Sequence, residues 1–170
     1  MKERRFWNEK IESMSGEEMK ELRMKKLRRQ LKYCYDNSPH FYKQKFDQLG
    51  VKPEDIRTWE DFRNFPLYIT KEDDRKSQQE SLEKYGHPYG MYLCCPLEKV
   101  KNVNCTSGTT GEPIFTYLGT EKDIEVNNEA WCRVFWRIGM RPGETVLHAL
   151  GLTSLVAAGV PLVRALDRFG

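Results

Sequence analysis

The sequence TSGTTGEP, residues 106–113, lies between two short runs that predict β-strands, Val100–Cys105 and Ile114–Leu118. It combines several hydroxyl side chains with the glycines Gly108 and Gly111. Glycine lets the backbone approach a ligand closely, and successive amides that turn inward form a concave anion site. The hydroxyl groups add uncharged hydrogen-bond donors. The stretch therefore predicts a strand–loop–strand unit whose loop suits phosphate.

This loop matches neither of the two common glycine-rich nucleotide motifs. It lacks the lysine of the P-loop pattern G-x-x-x-x-G-K-(S/T), and it lacks the spacing of the dinucleotide pattern G-x-G-x-x-G. The alternative interpretation is a hairpin turn rich in glycine and threonine. A bare hairpin rarely needs so many hydroxyl groups together with two spaced glycines, so we favour phosphate binding.

The residues after the loop predict a helix and then a buried strand. The helix extends from Glu121 to about Ile138, and Thr145–Ala149 follows as the strand. Apolar residues of the helix recur at helical spacing on one side: Ile124, Trp131, Phe135 and Ile138. Together with the two strands around the loop, these elements predict a sheet-and-helix layer.

Helices dominate the residues before the loop. A Ser or Thr followed three residues later by an acid is the pattern of a capping box, and four such pairs mark predicted helix starts along the chain. These pairs are Ser15/Glu18, Thr58/Asp61, Thr70/Asp73 and Thr120/Asp123. We therefore predict an α/β fold with a helical N-terminal region, residues 1–95, and a partial nucleotide-binding α/β region, residues 96–170, in one incomplete domain.

The first long helix is predicted from about Gly16 to Asp36. One face is apolar, with Met24, Leu27, Leu31 and Cys34. The other face is basic, with Lys20, Arg23, Lys25, Lys26, Arg28, Arg29 and Lys32. We interpret the basic face as a solvated surface rather than a phosphate or membrane contact, because no aromatic residues are interleaved with the cations.

The composition is that of a globular chain without a strong charge bias. Its 170 residues carry 28 basic and 25 acidic side chains, a formal charge of +3. A nucleic-acid-binding domain is usually far more basic, so we expect no nucleic-acid partner. The five cysteines lack C-x-x-C spacing and no signal peptide is recognisable, which favours reduced thiols in a cytoplasmic protein.

One uncharged stretch, Thr145–Val163, approaches the length of a membrane span. Gly151, Gly159 and Pro161 interrupt it, and polar residues dilute its apolar character. A buried strand, a turn and a core helix account for this stretch better than a membrane span does. We therefore expect no membrane insertion.

Residues 106–113 resemble the phosphate-loop signature (S/T)-S-G-(S/T)-T-G-x-P of adenylate-forming enzymes, the acyl-CoA synthetase and ligase superfamily. Segments on both sides narrow the resemblance to the phenylacetate–CoA ligase family. They follow the order and spacing of that family: Tyr35–Tyr42, Phe46-Asp47, Gly50–Ile56, Phe65-Pro66, Thr70–Asp73, Tyr85–Gly90 and Arg141–Glu144. The resemblance covers nearly the whole chain, from about Phe6 to Gly170.

This resemblance implies an AMP-forming ligase that uses ATP, magnesium and coenzyme A to activate a small carboxylic acid. The acid would form an acyl-adenylate with release of pyrophosphate, and the coenzyme A thiol would then displace AMP. By their positions in the signature, the residues that would hold the phosphates are Ser107, Gly108, Thr109, Thr110 and Gly111. Thr110 would also help to place the magnesium ion. The acyl pocket would begin with His148, Ala149, Gly151 and Leu152.

The chain departs from the family pattern at two points. Glu112 stands where the family commonly has Lys, just before Pro113, and an acid beside a triphosphate repels it. The adenine- and ribose-contacting motifs and the catalytic Lys of the family would lie downstream of Gly170. We therefore expect no catalytic residue here, and an N-terminal part of a ligase that is inactive alone. The alternatives are a stand-alone phosphate- or nucleotide-binding module and an oligomerising structural domain without catalysis.

The C-terminal segment Val146–Leu166 is rich in apolar residues and nearly free of charge. In a complete enzyme, further strands and helices would cover it. A bare strand edge with an apolar face tends to pair with another chain. We therefore expect a homo-oligomer with Val146–Leu166 in or beside the contact.

Overall fold

The structure, a computed structural model, describes residues 4–106, 114–149 and 159–170. The chain forms two compact units. The first unit is residues 15–97, and the second unit combines residues 1–14 with residues 98–170. The first unit is helical, whereas the second adds a two-stranded sheet to its helices. The predicted α/β class is therefore confirmed, with helix as the larger part.

Helix α1, Glu9–Glu12, belongs to the second unit. The first unit follows with α2 (Gly16–Asn37), a π-helical turn (Pro39–Lys43), α3 (Gln44–Gln48), a 3-10 turn (Pro53–Asp55), α4 (Trp59–Asn64) and α5 (Lys71–Tyr85). After a short turn at Leu97–Lys99, the second unit continues with β1 (Asn102–Thr106), β2 (Ile114–Gly119), α6 (Glu121–Arg137) and α7 (Val160–Phe169).

All four predicted capping boxes are present at the starts of α2, α4, α5 and α6. At α2, the Ser15 hydroxyl accepts from the Glu18 amide at 3.2 Å, and the Glu18 carboxylate accepts from the Ser15 amide at 2.8 Å. These bonds satisfy amides that the first helical turn leaves free. Helix α2 ends at Asn37, one residue beyond its predicted end.

Aromatic residues form the core of the first unit. Phe46 is only 1% exposed, and its ring lies 5.6 Å from the ring of Tyr35 and 4.9 Å from that of Phe65. Phe41 and Ile56 are buried as well. The π-helical turn and α3 thus bring their apolar side chains inward, beneath the half-buried face of α2.

Buried hydroxyl groups fix the segment that follows α5. The Ser38 hydroxyl donates to the Met91 carbonyl oxygen at 2.9 Å, and the Met91 amide donates to the Ser77 hydroxyl at 2.6 Å. The Gly90 amide donates to the Ser81 hydroxyl at 2.9 Å. Composition alone predicts a loop here; these bonds hold that loop against the ends of α2 and α5.

Both strands predicted around the loop are present, and they pair antiparallel. Asn102 pairs with Gly119, Asn104 with Tyr117 and Thr106 with Ile114. The register shifts between Asn104 and Thr106, which is the signature of a bulge. The strands thus form a hairpin whose connection is residues 107–113.

Helices α6 and α7 pack against each other to form the core of the second unit. The buried members are Cys132, Phe135, Trp136, Ala165 and Phe169. The Trp7 ring stacks on Phe169 at a centroid distance of 5.1 Å, so the N-terminal segment completes this core. The predicted apolar face of α6 is confirmed at Phe135, but Ile138 lies beyond the helix end and is 68% exposed.

The strand predicted at Thr145–Ala149 is wrong. These residues are irregular, and Val146 and Leu147 are 45% and 91% exposed. A strand requires a neighbour for its backbone groups. In the described residues, the sheet of the second unit contains only β1 and β2. No helix in the described ranges is both long and apolar enough to cross a membrane.

Candidate functional site

The hairpin of β1 and β2 positions the ends of the predicted phosphate loop. Thr106 and Ile114 are partners in the ladder, so the chain leaves and re-enters the sheet at neighbouring positions. The predicted phosphate-binding residues Ser107, Gly108, Thr109, Thr110 and Gly111 lie outside the described residues, as does Glu112. What the structure establishes is the frame of the loop: two paired strand ends with a bulge one residue before the loop.

Polar side chains support the base of this hairpin. Asn104 is 4% exposed, and its side-chain oxygen accepts from the Asn102 side-chain amide at 2.5 Å. The guanidinium of Arg164, from α7, donates to the Asn102 side-chain oxygen at 3.3 Å. This group of three residues was not among the residues predicted from the sequence. A polar residue between Val103 and Cys105 in a predicted strand was the available signal, because buried polar groups need partners.

The crevice between this hairpin and the helices is too small for a nucleotide. Its volume is about 10 Å³, and Asn102, Asn128 and Arg164 contribute to its lining. The side-chain oxygen of Asn128 is buried there without a hydrogen-bond partner among the described residues. A space of this size holds about one water molecule. This crevice is therefore not a nucleotide site.

The structure describes two of the four residues predicted to begin the acyl pocket. His148 is half-buried, and its Nε2 atom is buried without a partner in the described residues. Ala149 is exposed. Gly151 and Leu152 lie outside the described residues. Of this set, His148 is the residue whose environment is compatible with a polar ligand.

A large groove in the first unit presents the basic face of α2. Its volume is about 1040 Å³, and it lies between α2 and residues 53–63. Five of the predicted basic residues line it, Lys20, Lys25, Arg28, Arg29 and Lys32, but so do the acids Glu17, Glu21, Asp36, Glu54 and Glu60. Carboxylates interleaved with the cations weaken the attraction for an anion. Arg57 and Arg63 also line the groove, so its surface is of mixed charge rather than uniformly basic.

No cluster of three or more His, Cys, Asp or Glu side chains able to hold a metal ion occurs within the described part of the chain. Thr110, the residue expected to help place magnesium, is outside that part. A nucleotide-bound magnesium ion is usually held by few protein groups, because it keeps several waters and takes phosphate oxygens as ligands. The donors offered by the loop sequence, hydroxyl groups and amides, are compatible with that role.

Comparison with known proteins connects this hairpin and its flanks to acid–CoA ligases. No protein-family model matches the chain. Phenylacetate-coenzyme A ligase of Escherichia coli (strain K12) is 36% identical over 161 residues, which cover 94% of this chain and 33% of that protein. The enzyme of the same name from Aromatoleum evansii is 35% identical over 144 residues, 84% of this chain and 30% of that protein.

The solved structures lead to the same group of ligases. A crystal structure of 2-hydroxyisobutyryl-CoA ligase in complex with 2-HIB-AMP and CoA has a TM-score of 0.85 and 28% identity. The match covers 98% of this chain and 33% of that one. This chain therefore spans about a third of the length of the relatives it matches. It belongs to the phenylacetate–CoA ligase family.

Proposed function

We propose that this chain supplies the phosphate-holding loop of an AMP-forming acid–CoA ligase. In this role, the loop holds ATP while a carboxylate attacks the α-phosphate, which gives an acyl-adenylate and pyrophosphate. Coenzyme A thiol then displaces AMP to form the thioester. The observation that supports the proposal best is the hairpin itself: the paired Thr106 and Ile114 frame a loop sequence typical of adenylate-forming ligases, within a chain related to them over most of its length.

The chemistry of adenylation explains why the loop needs these residue types. Negative charge redistributes over the phosphates as the α-phosphate is attacked, and donors fixed in advance stabilise that charge. Backbone amides at Gly108 and Gly111 and the hydroxyl groups of Ser107, Thr109 and Thr110 provide such donors without adding charge. Magnesium, when bound with the nucleotide, neutralises part of the phosphate charge, and we propose that the Thr110 hydroxyl helps to place it.

We further propose that His148 lies at the edge of the pocket for the acid. Its buried Nε2 atom has no partner in the described residues, and a buried polar atom without a partner is costly. A carboxylic acid or its adenylate offers oxygen atoms that satisfy such a group. Ala149, Gly151 and Leu152 follow as small or apolar residues, which suits an apolar acyl group.

These 170 residues alone are proposed to be inactive in thioester formation. The family's ribose-contacting motifs and its catalytic Lys are expected after Gly170. Residues 106–113 would thus provide donors for phosphate, whereas the groups that orient the sugar and complete the chemistry would come from outside these 170 residues. Binding of ATP and catalysis are thus separable in this chain, and they can be measured separately.

The test is a calorimetric titration of the purified chain with ATP and magnesium, using wild type and Glu112→Lys. Replacing an acid beside the triphosphate with a base removes one repulsion and adds one attraction, each worth on the order of 1 kcal/mol at a partly exposed site. We expect the variant to bind ATP about thirtyfold more tightly, because the two effects together amount to about 2 kcal/mol. Glu98→Lys makes the same charge change at an exposed position outside the loop, and it is expected to leave the affinity unchanged.

Equal or weaker ATP binding by Glu112→Lys would show that the loop does not face phosphate. A comparable gain in Glu98→Lys would reduce the effect to net charge. In parallel, release of pyrophosphate is measured with phenylacetate as the acid. Acid-dependent release above a blank would contradict the proposal that these residues are inactive alone.

A further inference from the structure

Two cysteines of the first unit, Cys34 and Cys94, are brought together although 60 residues separate them in the sequence. Cys34 lies in the last turn of α2, and Cys94 lies in the segment that follows α5. The neighbouring Tyr33 hydroxyl donates to the carbonyl oxygen of Cys94 at 2.6 Å. The buried Ser38 hydroxyl holds the same segment through Met91 at 2.9 Å. Hydrogen bonds from Tyr33 and Ser38, which lie before and after Cys34 in the chain, thus hold the end of α2 against the segment that contains Cys94.

The two thiols interact with each other, because a hydrogen bond between Cys34 and Cys94 changes the pKa of both groups. Both residues are half-buried, so a small molecule in solution has access to them. The Gln30 side-chain amide donates to the Cys34 sulfur at 3.3 Å. The Cys94 thiol also lies 3.2 Å from the carbonyl oxygen of Tyr92. A disulfide requires Cα atoms within about 7 Å of each other and sulfur atoms about 2.05 Å apart, so two thiols held next to each other meet its first condition.

The environment assigns different roles to the two sulfur atoms. The hydrogen bond from Cys94, followed by that from Gln30, lowers the pKa of the Cys34 thiol to about 7, although burial opposes this change. The same contact and burial raise the pKa of the Cys94 thiol. Titratable groups next to the pair include Tyr33, Tyr42 and Cys95. Asp74 and Tyr92 lie beside Tyr42. Cys34 is therefore the thiol that ionises first, and the thiolate is the reactive form.

We propose that Cys34 and Cys94 form a reversible disulfide, which makes the first unit a thiol–disulfide switch. With a hydroperoxide as oxidant, the Cys34 thiolate attacks one peroxide oxygen and the O–O bond breaks. Cys34 becomes a sulfenic acid, and the other oxygen leaves as water or an alcohol after taking up a proton. The Cys94 sulfur then attacks the Cys34 sulfur, the S–O bond breaks, and water leaves. Two electrons pass from the thiols to the peroxide, and a dithiol reductant reverses the change.

The disulfide would change the first unit by joining the end of α2 to the segment after α5. Residues 35–93 would then form a closed loop, which includes α3, α4 and α5. The present contacts between these two regions are hydrogen bonds, which can open, whereas the disulfide would keep the regions together. Oxidation would therefore reduce local opening of the first unit between the end of α2 and the segment after α5.

The experiment treats the fully reduced 170-residue chain with one equivalent of hydrogen peroxide and then blocks the remaining thiols with N-ethylmaleimide. We expect two of the five cysteines to become protected from the reagent. Trypsin should release a cross-linked pair of peptides, residues 33–43 joined to residues 85–99, about 2 Da lighter than the sum of the two. Dithiothreitol should restore both peptides.

Because Cys94 and Cys95 share one tryptic peptide, single variants identify the partner of Cys34. The cross-link is expected to persist in Cys95→Ser and to be lost in Cys34→Ser and Cys94→Ser. Loss in Cys95→Ser with retention in Cys94→Ser would overturn the proposal. A cross-link between two chains, or oxidation of Cys34 to a sulfinic acid without any cross-link, would overturn it as well.

A second measurement does not depend on formation of the disulfide. The rate of alkylation of Cys34 by iodoacetamide, read from its peptide by mass spectrometry, should rise with a midpoint near pH 7. In Cys94→Ala the midpoint is expected to move toward the ordinary value for a thiol, because this variant removes the donor that the Cys94 side chain provides to Cys34. A midpoint at the ordinary value in wild type would remove the case for Cys34 as the attacking thiol.

Discussion

The carboxylate of Asp73 accepts hydrogen bonds both from a residue close in the chain and from a residue of another helix. Its side chain accepts from the Thr70 amide at 2.8 Å and from the Thr70 hydroxyl at 2.7 Å, which caps α5. It also accepts from the Lys45 ammonium at 2.9 Å, which connects α5 to α3 within the first unit. The Lys45 ammonium first, and the Thr70 donors next, hold the pKa of Asp73 well below its usual range.

Replacing Asp73 should therefore change how the stability of the first unit depends on pH. The folded pKa of Asp73 is lowered, so the unfolded chain takes up a proton first as pH falls. The stabilisation is present above about pH 4 and is lost as pH falls toward the folded pKa. In Asp73→Asn we expect lower stability at pH 7 and a smaller loss between pH 5 and pH 3. Urea unfolding midpoints across this range measure both effects.

Asp74 provides a matched control of opposite sign. Burial, and then the charge of Asp73, raise the pKa of Asp74, so its folded form takes up the proton first. Asp74 therefore lowers stability at pH 7, and this cost fades as pH falls. Asp74→Asn should raise stability at pH 7 and make the acid loss steeper. Parallel curves for the two variants would contradict the assignment of either carboxylate.

The residues that sequence analysis identified correctly are those whose partners lie close in the chain. Each capping pair, such as Thr70 and Asp73, is three residues apart, so its geometry follows from the helix it begins. Lys45 lies 28 residues from Asp73, and Cys34 lies 60 residues from Cys94. A single sequence contains no signal for such pairings, which depend on how the helices pack.

At the scale of an element, α2 depends on local interactions to an unusual degree. None of its 22 residues is fully buried, so packing contributes less to it than to a core helix. Glu, Lys, Arg, Leu and Met, which favour helix, make up most of its sequence. The capping box of Ser15 and Glu18 then fixes where the helix begins.

We predict that Ser15→Ala lowers the stability of the first unit by about 1 kcal/mol, the usual effect of losing such a cap. Because the cap satisfies first-turn amides, hydrogen exchange of residues 16–19 should accelerate more than that of residues 71–85. Urea unfolding and exchange mass spectrometry measure the two effects. Ser15→Asp retains an acceptor at the same position and should restore most of the stability. Equal losses in both variants would mean that the cap is not the source of the effect.

Secondary-structure predictions are correct where the sequence pattern is local. They are wrong where an element needs a neighbouring strand or helix in order to form. Helix α6 and the β1–β2 hairpin follow from helical spacing and from alternation around a short connection. Thr145–Ala149 has the residues of a strand, yet it is irregular. Apolar, β-branched residues favour a strand only when another strand supplies the hydrogen bonds. The phosphate chemistry expected of the loop, residues 107–113, stays a prediction, whereas the frame around the loop comes from the strand register.

At the scale of the whole molecule, the chain order does not match the division into units. Residues 4–14 precede the first unit but pack with the second. The Trp7 indole donates to the Glu129 carboxylate at 3.1 Å, and the Trp136 indole donates to the Arg5 carbonyl oxygen at 3.1 Å. The aromatic residues near the N-terminus indicate that this segment is buried against another element. Only the fold shows which helix it packs against.

The apolar C-terminal segment is partly covered within its own unit. Ala165 is fully buried, and Leu162 and Leu166 pack against the core cluster of α6 and α7. Val146, Leu147 and Val160 remain 45%, 91% and 38% exposed. The sequence-based expectation that Val146–Leu166 contacts a second copy therefore depends, among described residues, on the region around Leu147 rather than on the inner face of α7.

We predict that the purified chain sediments as a dimer or larger species at tens of micromolar, and that Leu147→Lys shifts it toward a monomer near 20.1 kDa. Complete burial of a leucine contributes about 1.5–3 kcal/mol, and a buried lysine adds a desolvation cost, so the association should weaken by about ten- to hundredfold or more. Leu82→Lys, at a leucine of the first unit that is 47% exposed, makes the same chemical change outside the segment and should leave the sedimentation profile unchanged. A monomeric wild type would show that α7 already satisfies the segment. Equal dissociation by both variants would place the contact outside it.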